Sequence, residues 1–365
     1  MKRAIGLARG VLGATSPNPA VGAVVVKDGV EVGCGSTLPP GQSHAEIVAL
    51  QQAGDASRGS ILYTTLEPCC THGRTPPCTR AIIAAGVKAV HVAVIDPNPQ
   101  VSGRGCAELR SAGIEVVMVV EEEEAEEVRE LYEAFAKHVA TGIPFVTAKF
   151  AMSLDGKIAT RTGDAKWVSG AKSRSAVQQM RRESDAVLVG LNTVVADDPQ
   201  LTARDREGNP IQRQPLRVVV DSNCRMPPSA QILRQPGTTI VAVTRGAPQT
   251  RVDRLLKAGA EVLSFPADRH ARVDMAALLA ELGRRGVVSV LVEGGGTVLG
   301  SLFDGKLVDK VYAFIAPVII GGEGAPSPVE GLGVDAMARA WKVGRTKMRA
   351  TGGDWLVVGY PEEGS

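Results

Sequence analysis

The stretch "ILYTTLEPCCTHGRTPPCTRAIIAAGVKAVHVAVID", Ile61–Asp96, holds the architecture of this chain in miniature. Ile61–Leu66 is rich in apolar β-formers and reads as a strand. Thr79–Gly86 has helical spacing and stops at a glycine, where helices commonly end. Lys88–Asp96 is a near-continuous apolar run of the kind buried in a parallel sheet. Strand, helix and strand in that order predict an α/β layered sheet. Between the first strand and the helix lies "EPCCTHGRTPPC", Glu67–Cys78, with three of the chain's six cysteines, one histidine and three prolines. It poses a choice among a disulfide, a structural zinc knuckle and the ligands of a catalytic metal.

Working outward, Ala20–Gly35 is two apolar runs around Asp28-Gly29, a strong hairpin signal. His44–Gly54 has helical spacing, Gly105–Gly113 reads as a helix, and Ile114–Val120 reads as a strand. Glu121–Thr141 is a helix, acid-rich at its start and basic at its end as the helix dipole prefers, with its glutamate run on a solvated face. Gly142 and Pro144 break it, and the domain boundary is expected there, with domains 1–143 and 144–365. The second half is a fresh α/β series. Strands are predicted at Phe145–Ala151, Ala186–Gly190, Leu216–Asp221, Thr239–Thr244, Glu261–Phe265, Val288–Glu293 and Val308–Ala316. Helices are predicted at Ser173–Glu183, Arg251–Ala258, Met275–Arg285 and Thr297–Leu302.

At 365 residues the chain exceeds one ordinary core, which also argues for two domains. Net charge is +2 without a basic tract, which speaks against a nucleic-acid partner but leaves room for a small anionic substrate. No run reaches the roughly 18 apolar residues of a membrane span. "MKRAIGLARG" lacks the apolar run of a signal peptide, so the expected compartment is the cytoplasm. Thiols stay reduced there, which favours metal or catalysis over a disulfide. Cys34, Cys106 and Cys224 lie far from the cluster and read as small buried apolar residues.

His44-Ala45-Glu46 opens a helix, and the cysteine loop follows the next strand. Catalytic zinc takes three protein ligands, keeps one position for water and lowers that water's pKa. A histidine and two thiolates meet this need. Glu46 reaches the same cleft without taking a ligand position and can shuttle protons. H-x-E followed by P-C-x-x-C marks the zinc nucleobase deaminases. This chain departs from the second spacing. After Cys69 the next thiol is Cys70, whose side chain diverges from its neighbour's, or Cys78, across eight residues stiffened by Pro76 and Pro77. His72 is an alternative ligand, and a closed four-ligand scaffold is the competing reading of the whole cluster.

The second half offers weaker signals. "LVEGGGTVLGSLF", Leu291–Phe303, is strand, glycines, then helix, an arrangement that lets a pyrophosphate approach a helix N-terminus. "VVVDSNCR", Val218–Arg225, puts Ser222 and Arg225 after a strand. "VVADDPQLTAR", Val194–Arg204, reads as a polar loop in which Asp197-Asp198 precede a proline turn.

Taken with "TSPNPAVGAVVVKDG", "HAE", "TLEPCCTHGRTPPC", "DPNPQVSGRG", "SLDGKIAT", "VLVGLNTVVADDPQLTAR" and "VVVDS", these stretches resemble the bifunctional deaminase/reductase family of bacterial riboflavin biosynthesis over nearly the full length. The resemblance implies an N-terminal cytidine-deaminase-like layered sheet and a C-terminal dihydrofolate-reductase-like sheet. It places zinc on His44, Cys69 and Cys78 and the catalytic proton shuttle on Glu46. Asn18 would touch the pyrimidine and Arg74 the region of the ribose phosphate. NADPH would meet Ala151, Trp167, Thr193, Asp197, Ser222, Glu293, Gly294, Gly295 and Gly296. Substrate would meet Lys149, Ala165, Arg181, Leu201 and Arg204, with the two arginines suited to its phosphate. The implied substrate is a diaminopyrimidinone carrying a phosphoribosylamino group, deaminated and then reduced from ribosyl to ribityl. A homo-oligomer, dimer or tetramer, is expected. Two departures stand out. Ser36-Thr37 replace the family's aromatic-His pair, and Ala165-Lys166 stand where the family has a serine beside the tryptophan.

Overall fold

The computed structural model describes residues 1–119 and 122–362. The chain divides into two units, Met1–Ile143 with Gly286–Val288, and Pro144–Arg285 with the chain from Ser289 onward.

The first unit runs α1 (Lys2–Arg9), β1 (Gly22–Lys27), β2 (Val30–Ser36), α2 (Ala45–Ala53), β3 (Ile61–Thr64), α3 (Cys78–Ala85), β4 (Ala89–Val92), α4 (Arg104–Ser111), β5 (Glu115–Met118) and α5 (Glu122–Thr141). Its sheet order is β2-β1-β3-β4-β5. The β1–β2 hairpin turns on Asp28 and Gly29, both at positive φ, as a two-residue hairpin loop requires. β1 pairs antiparallel with β3, and β3, β4 and β5 run parallel. Apolar residues of strands and helices meet in one core, with Val25, Leu62 and Val90 facing Ala49, Ile82 and Leu109. A Cβ on Gly35 of β2 would fall 2.6 Å from the Ala45 carbonyl oxygen. Its absence lets the start of α2, with His44 and Glu46, close onto the sheet.

Three expectations change here. α1 was not anticipated, because its short alternation of small and charged residues hides a buried face of Ala4, Ile5 and Ala8. Glu124 is buried, so this member of the glutamate run is not on a solvated face. Cys34 is only half-buried, whereas Cys106 and Cys224 are buried. Val120 and Glu121, the end of the expected strand and the start of the expected helix, lie outside the described residues.

The second unit contains β6 (Phe145–Ser153), α6 (Ala171–Glu183), β7 (Ala186–Gly190), α7 (Leu191–Asp197), β8 (Leu216–Val220), β9 (Thr239–Thr244), α8 (Gln249–Lys257), β10 (Glu261–Phe265), α9 (Met275–Arg284), β11 (Ser289–Val292), α10 (Gly296–Asp304), β12 (Lys310–Ala316), β13 (Lys342–Thr351) and β14 (Asp354–Glu362). The sheet order is β10-β9-β8-β7-β11-β6-β12-β14-β13, parallel from β10 to β12 and antiparallel through β14 and β13. Both sheets are therefore mixed and both units are α/β. β7, "AVLVG", is buried along its whole length, as a central parallel strand must be.

Part of the expected polar loop at Val194–Arg204 is instead the end of α7, and Asp198 caps it at φ 40°. The terminal β13–β14 hairpin was also missed. β13 is a basic edge strand exposed along nearly all its length, so it shows no core-facing alternation. The hairpin nonetheless organises the unit. Asp354 accepts from the Gly170 N–H (2.7 Å) and the Ser173 hydroxyl (2.5 Å), capping the start of α6 from far along the chain.

Candidate active sites

In the first unit two short connections build one cluster. His44 is the extended residue just before α2, Cys69 lies in the loop after β3, and Cys78 is the first residue of α3. Their ligand atoms all lie within 4.8 Å of one another. Both sulfurs face the same imidazole nitrogen, His44 Nδ1, at 3.5 Å for Cys69 and 3.3 Å for Cys78. His44 Nε2 faces the Thr75 hydroxyl at 3.3 Å. Nδ1 thus faces the two sulfurs, and the Thr75 hydroxyl is placed to accept a hydrogen bond from Nε2–H and hold that tautomer. The Cys78 backbone N–H donates to Cys69 Sγ at 3.3 Å. Hydrogen bonding from Cys78, opposed by burial and aided by His44, pulls the Cys69 thiol down to about 4.

Glu46 is 3 % exposed, and its Oε2 has no hydrogen-bond partner. Burial, with the negative charge of Cys69 next, pushes its carboxyl up to about 7. An orphaned buried carboxylate oxygen beside two sulfurs and one nitrogen fits a zinc ion that keeps one position for water. Cys70 points elsewhere, with its thiol raised by burial and by Glu108. His72 is exposed and sits 3.3 Å from Arg80, outside the cluster. Asn18 is in a turn, its N–H donating to the Thr15 carbonyl (2.9 Å), and Arg74 is exposed on the cysteine loop.

Glu67, which the sequence reading passed over, carries the loop. Its buried carboxylate accepts from the N–H groups of Asp96 (3.1 Å), Gly103 (2.8 Å) and Cys106 (3.0 Å). These amides lie in and just after "DPNPQVSGRG", so that stretch serves to hold the residue two positions before Cys69.

In the second unit a cavity of about 1040 Å³ opens where several parallel strands end. It gathers the residues expected there from segments far apart in sequence. Lys149 and Ala151 come from β6, Arg181 from α6, and Thr193 and Asp197 from α7. Ala165 and Trp167 come from the loop before α6, Leu201 and Arg204 from the loop after α7. Ser222 follows β8, and Glu293, Gly294, Gly295 and Gly296 join β11 to α10. Gly294 and Gly295 have φ of 124° and 87°, a backbone course that favours glycine.

Several side chains are engaged differently from the simple expectation. The Arg181 guanidinium grips Glu293 with Nε and Nη2, the latter at 2.9 Å, and Nη1 donates to the Thr202 carbonyl at 3.2 Å. Its bidentate face is therefore turned to a carboxylate of the protein. Arg204 donates to the Thr202 hydroxyl (3.0 Å) and to Gln200. The Leu201 side chain is buried in the core and its backbone sits at φ 52°. The Ser222 hydroxyl accepts from the Val273 N–H at 3.1 Å. Trp167 is 70 % exposed, with the Arg174 guanidinium 4.6 Å over its ring. Lys149 is half-buried, and desolvation of its ammonium pushes its pKa down while the Glu293 charge works the other way. Arg174, Arg272 and Glu330 also line the cavity. No motif or spacing in the sequence marks them, because charged residues are ordinary on helix surfaces and loops.

A His/Cys/Cys centre with an adjacent carboxylate on one layered sheet, and a dinucleotide-sized cavity on another, define a two-domain enzyme that couples a zinc deaminase to a reductase. Residues 1–94 match the cytidine and deoxycytidylate deaminase zinc-binding region, and residues 144–357 match the RibD C-terminal domain. The chain belongs to the RibD family of riboflavin-biosynthesis proteins, bifunctional deaminase/reductases. It is 42% identical to the riboflavin biosynthesis protein RibD of Aquifex aeolicus (strain VF5), over 98% of this chain and 96% of that one. It is 40% identical to the RibD of Bacillus amyloliquefaciens, over 100% of this chain and 96% of that one. Among solved structures, Acinetobacter baumannii RibD aligns with a TM-score of 0.85 at 35% identity, covering 99% of this chain and 98% of that one. A Thermotoga maritima diaminohydroxyphosphoribosylaminopyrimidine deaminase/5-amino-6-(5-phosphoribosylamino)uracil reductase aligns with a TM-score of 0.83 at 38% identity, covering 99% and 97%. The zinc-binding match agrees with the His/Cys/Cys group, and the reductase domain implies a nicotinamide cofactor. No helix of the described residues is long and apolar enough to cross a membrane.

Proposed function

We propose that residues 1–143 deaminate a diaminopyrimidinone bearing a phosphoribosylamino group, and that residues 144–365 then reduce its ribosyl group with NADPH. The observation that carries the first step is the cluster of His44, Cys69 and Cys78 within 4.8 Å, with the orphaned Glu46 carboxylate beside it. When bound there, zinc supplies an acidified water as the nucleophile. Glu46 takes that water's proton and passes it to the departing ammonia. A buried carboxyl held near neutrality is suited to both halves of this transfer. Asn18 orients the pyrimidine, and Arg74 meets the phosphate at the exposed edge.

In the second step the cofactor supplies the hydride, and the protein positions and encloses. Ala151, Trp167, Thr193, Asp197, Ser222 and the Glu293–Gly296 turn hold the dinucleotide. The basic side chains of Arg225 and Arg272, lining the cavity with Ser222, suit a 2′-phosphate and so favour NADPH over NADH. Lys149, beside the Arg181–Glu293 pair, hydrogen-bonds the opened sugar, and Arg181, Arg204 and main chain at Leu201 frame the substrate. Ala165 offers no hydroxyl, so that part of the frame is apolar. Six free thiols suit a reducing cytoplasm. Exposed Met348 and Trp355 on the terminal hairpin suit assembly into a homo-oligomer.

A coupled assay on the diaminopyrimidine phosphate tests the reading. Ammonia release and NADPH oxidation should follow one another in time. Ammonia release with no NADPH oxidation would leave only a deaminase.

A further inference from the structure

Residues 326–333 lie as a strap across α10. The Glu330 N–H donates to the Gly296 carbonyl (3.1 Å), and Glu330 Oε2 accepts from the Thr297 hydroxyl (2.8 Å). At the far end of α10, Asp304 accepts from the N–H groups of Leu332 (2.9 Å) and Gly333 (3.2 Å). The fit is close. A Cβ on Gly296 would fall 2.7 Å from Glu330 Cγ, and a Cβ on Gly300 would fall 2.2 Å from the Glu330 carbonyl oxygen. Gly296 and Gly300, four residues apart and so on one helix face, therefore lack side chains because the strap passes there. Gly294 and Gly295, by contrast, have positive φ, and a Cβ there would meet nothing closer than 3.6 Å.

Pro326, Pro328 and Glu330 line the same cavity as this glycine turn. The start of α10 is where the phosphates of a dinucleotide gain most from free amides and the helix dipole. The exposed Glu330 carboxylate stands in that first turn, held by the neutral Thr297 hydroxyl.

We propose that Glu330 limits the affinity of the cavity for its cofactor: its carboxylate competes with the cofactor's phosphates for the start of α10, and it releases Thr297 and turns away when the dinucleotide binds. This rests on the reading of the cavity as the nicotinamide-dinucleotide site. The strap itself stays docked, because its backbone bonds to Gly296 and Asp304 do not involve the Glu330 side chain.

The test is calorimetric titration of NADPH into the full chain and into Glu330→Gln, which keeps the shape and removes the charge. The variant should bind NADPH about fivefold more tightly at low salt, the upper end for one solvent-screened charge contact. The gap should close at about 0.5 M salt. Reduced nicotinamide riboside, which carries no phosphate, should bind both chains alike. Equal or weaker NADPH binding by the variant, with the parent chain binding normally, overturns this proposal and leaves the cofactor reading intact. Failure of both chains to bind NADPH overturns both.

Discussion

The candidate metal centre of the N-terminal unit is assembled from the residue before α2, the second residue of that helix, and the two ends of a single loop. The cavity of the C-terminal unit draws on β6, α6, α7, the loop to Arg204, the end of β8 and the β11–α10 turn. Metal ligation demands a few donor atoms of particular elements at short range, so it leaves cysteine and histidine at recognisable places. A dinucleotide is held over a long surface by backbone, strand ends and scattered charges, and few of these need a distinctive residue type.

That contrast predicts separable behaviour. Glu46→Gln should lower ammonia release by about 10²–10⁴-fold, the worth of a general acid/base, with zinc content unchanged and reduction of the deaminated intermediate intact. Loss of reduction in the same variant would show that the two sites are not independent. Arg181→Met should be felt as instability, because it takes the bidentate partner from the Glu293 carboxylate, whose side chain is only 5% exposed, and leaves it only the charge of Lys149. Breaking a buried pair in this way costs about 3–5 kcal/mol. All three tryptophans lie in the C-terminal half, so their fluorescence during denaturant unfolding reports on that unit alone. An unfolding midpoint equal to the parent's would mean that the pair is not load-sharing in the fold. Thr75→Val should weaken zinc binding about 10–100-fold, measured by chelator competition, and Thr75→Ser should restore it. Unchanged affinity in the valine variant would remove Thr75 from the support of His44.

Much of the first site was legible because spacing encodes it. H-x-E at a helix start, with cysteines after the next strand, puts the donors in one cleft on any layered α/β sheet. Residue spacing alone left Cys70 and Cys78 both open as the second thiolate, and the fold brings Cys78 to His44 by starting α3 on it. The supporting carboxylate of Glu67 left no signal, since its partners are backbone amides of residues far along the chain. In the second unit the resemblance supplied positions, but not what the side chains do there. The pairing of Arg181 with Glu293, the exposure of Trp167 and the burial of the Leu201 side chain all depend on which neighbours the fold supplies. β13 was invisible because an exposed, basic edge strand lacks the alternation that marks a half-buried one.

By itself, then, the sequence determined the two α/β sheets, most of their strands and the short list of residues from which the candidate metal donors come. Those features follow from local periodicity and from side-chain chemistry that no other residue types provide. Only the tertiary structure decided how the charges are spent. It turned Arg181 toward Glu293, laid Glu330 against the glycines of α10 and brought Asp354 to cap α6. Each of these contacts joins residues far apart in the chain, where neither propensity nor spacing carries information and only packing sets which groups meet.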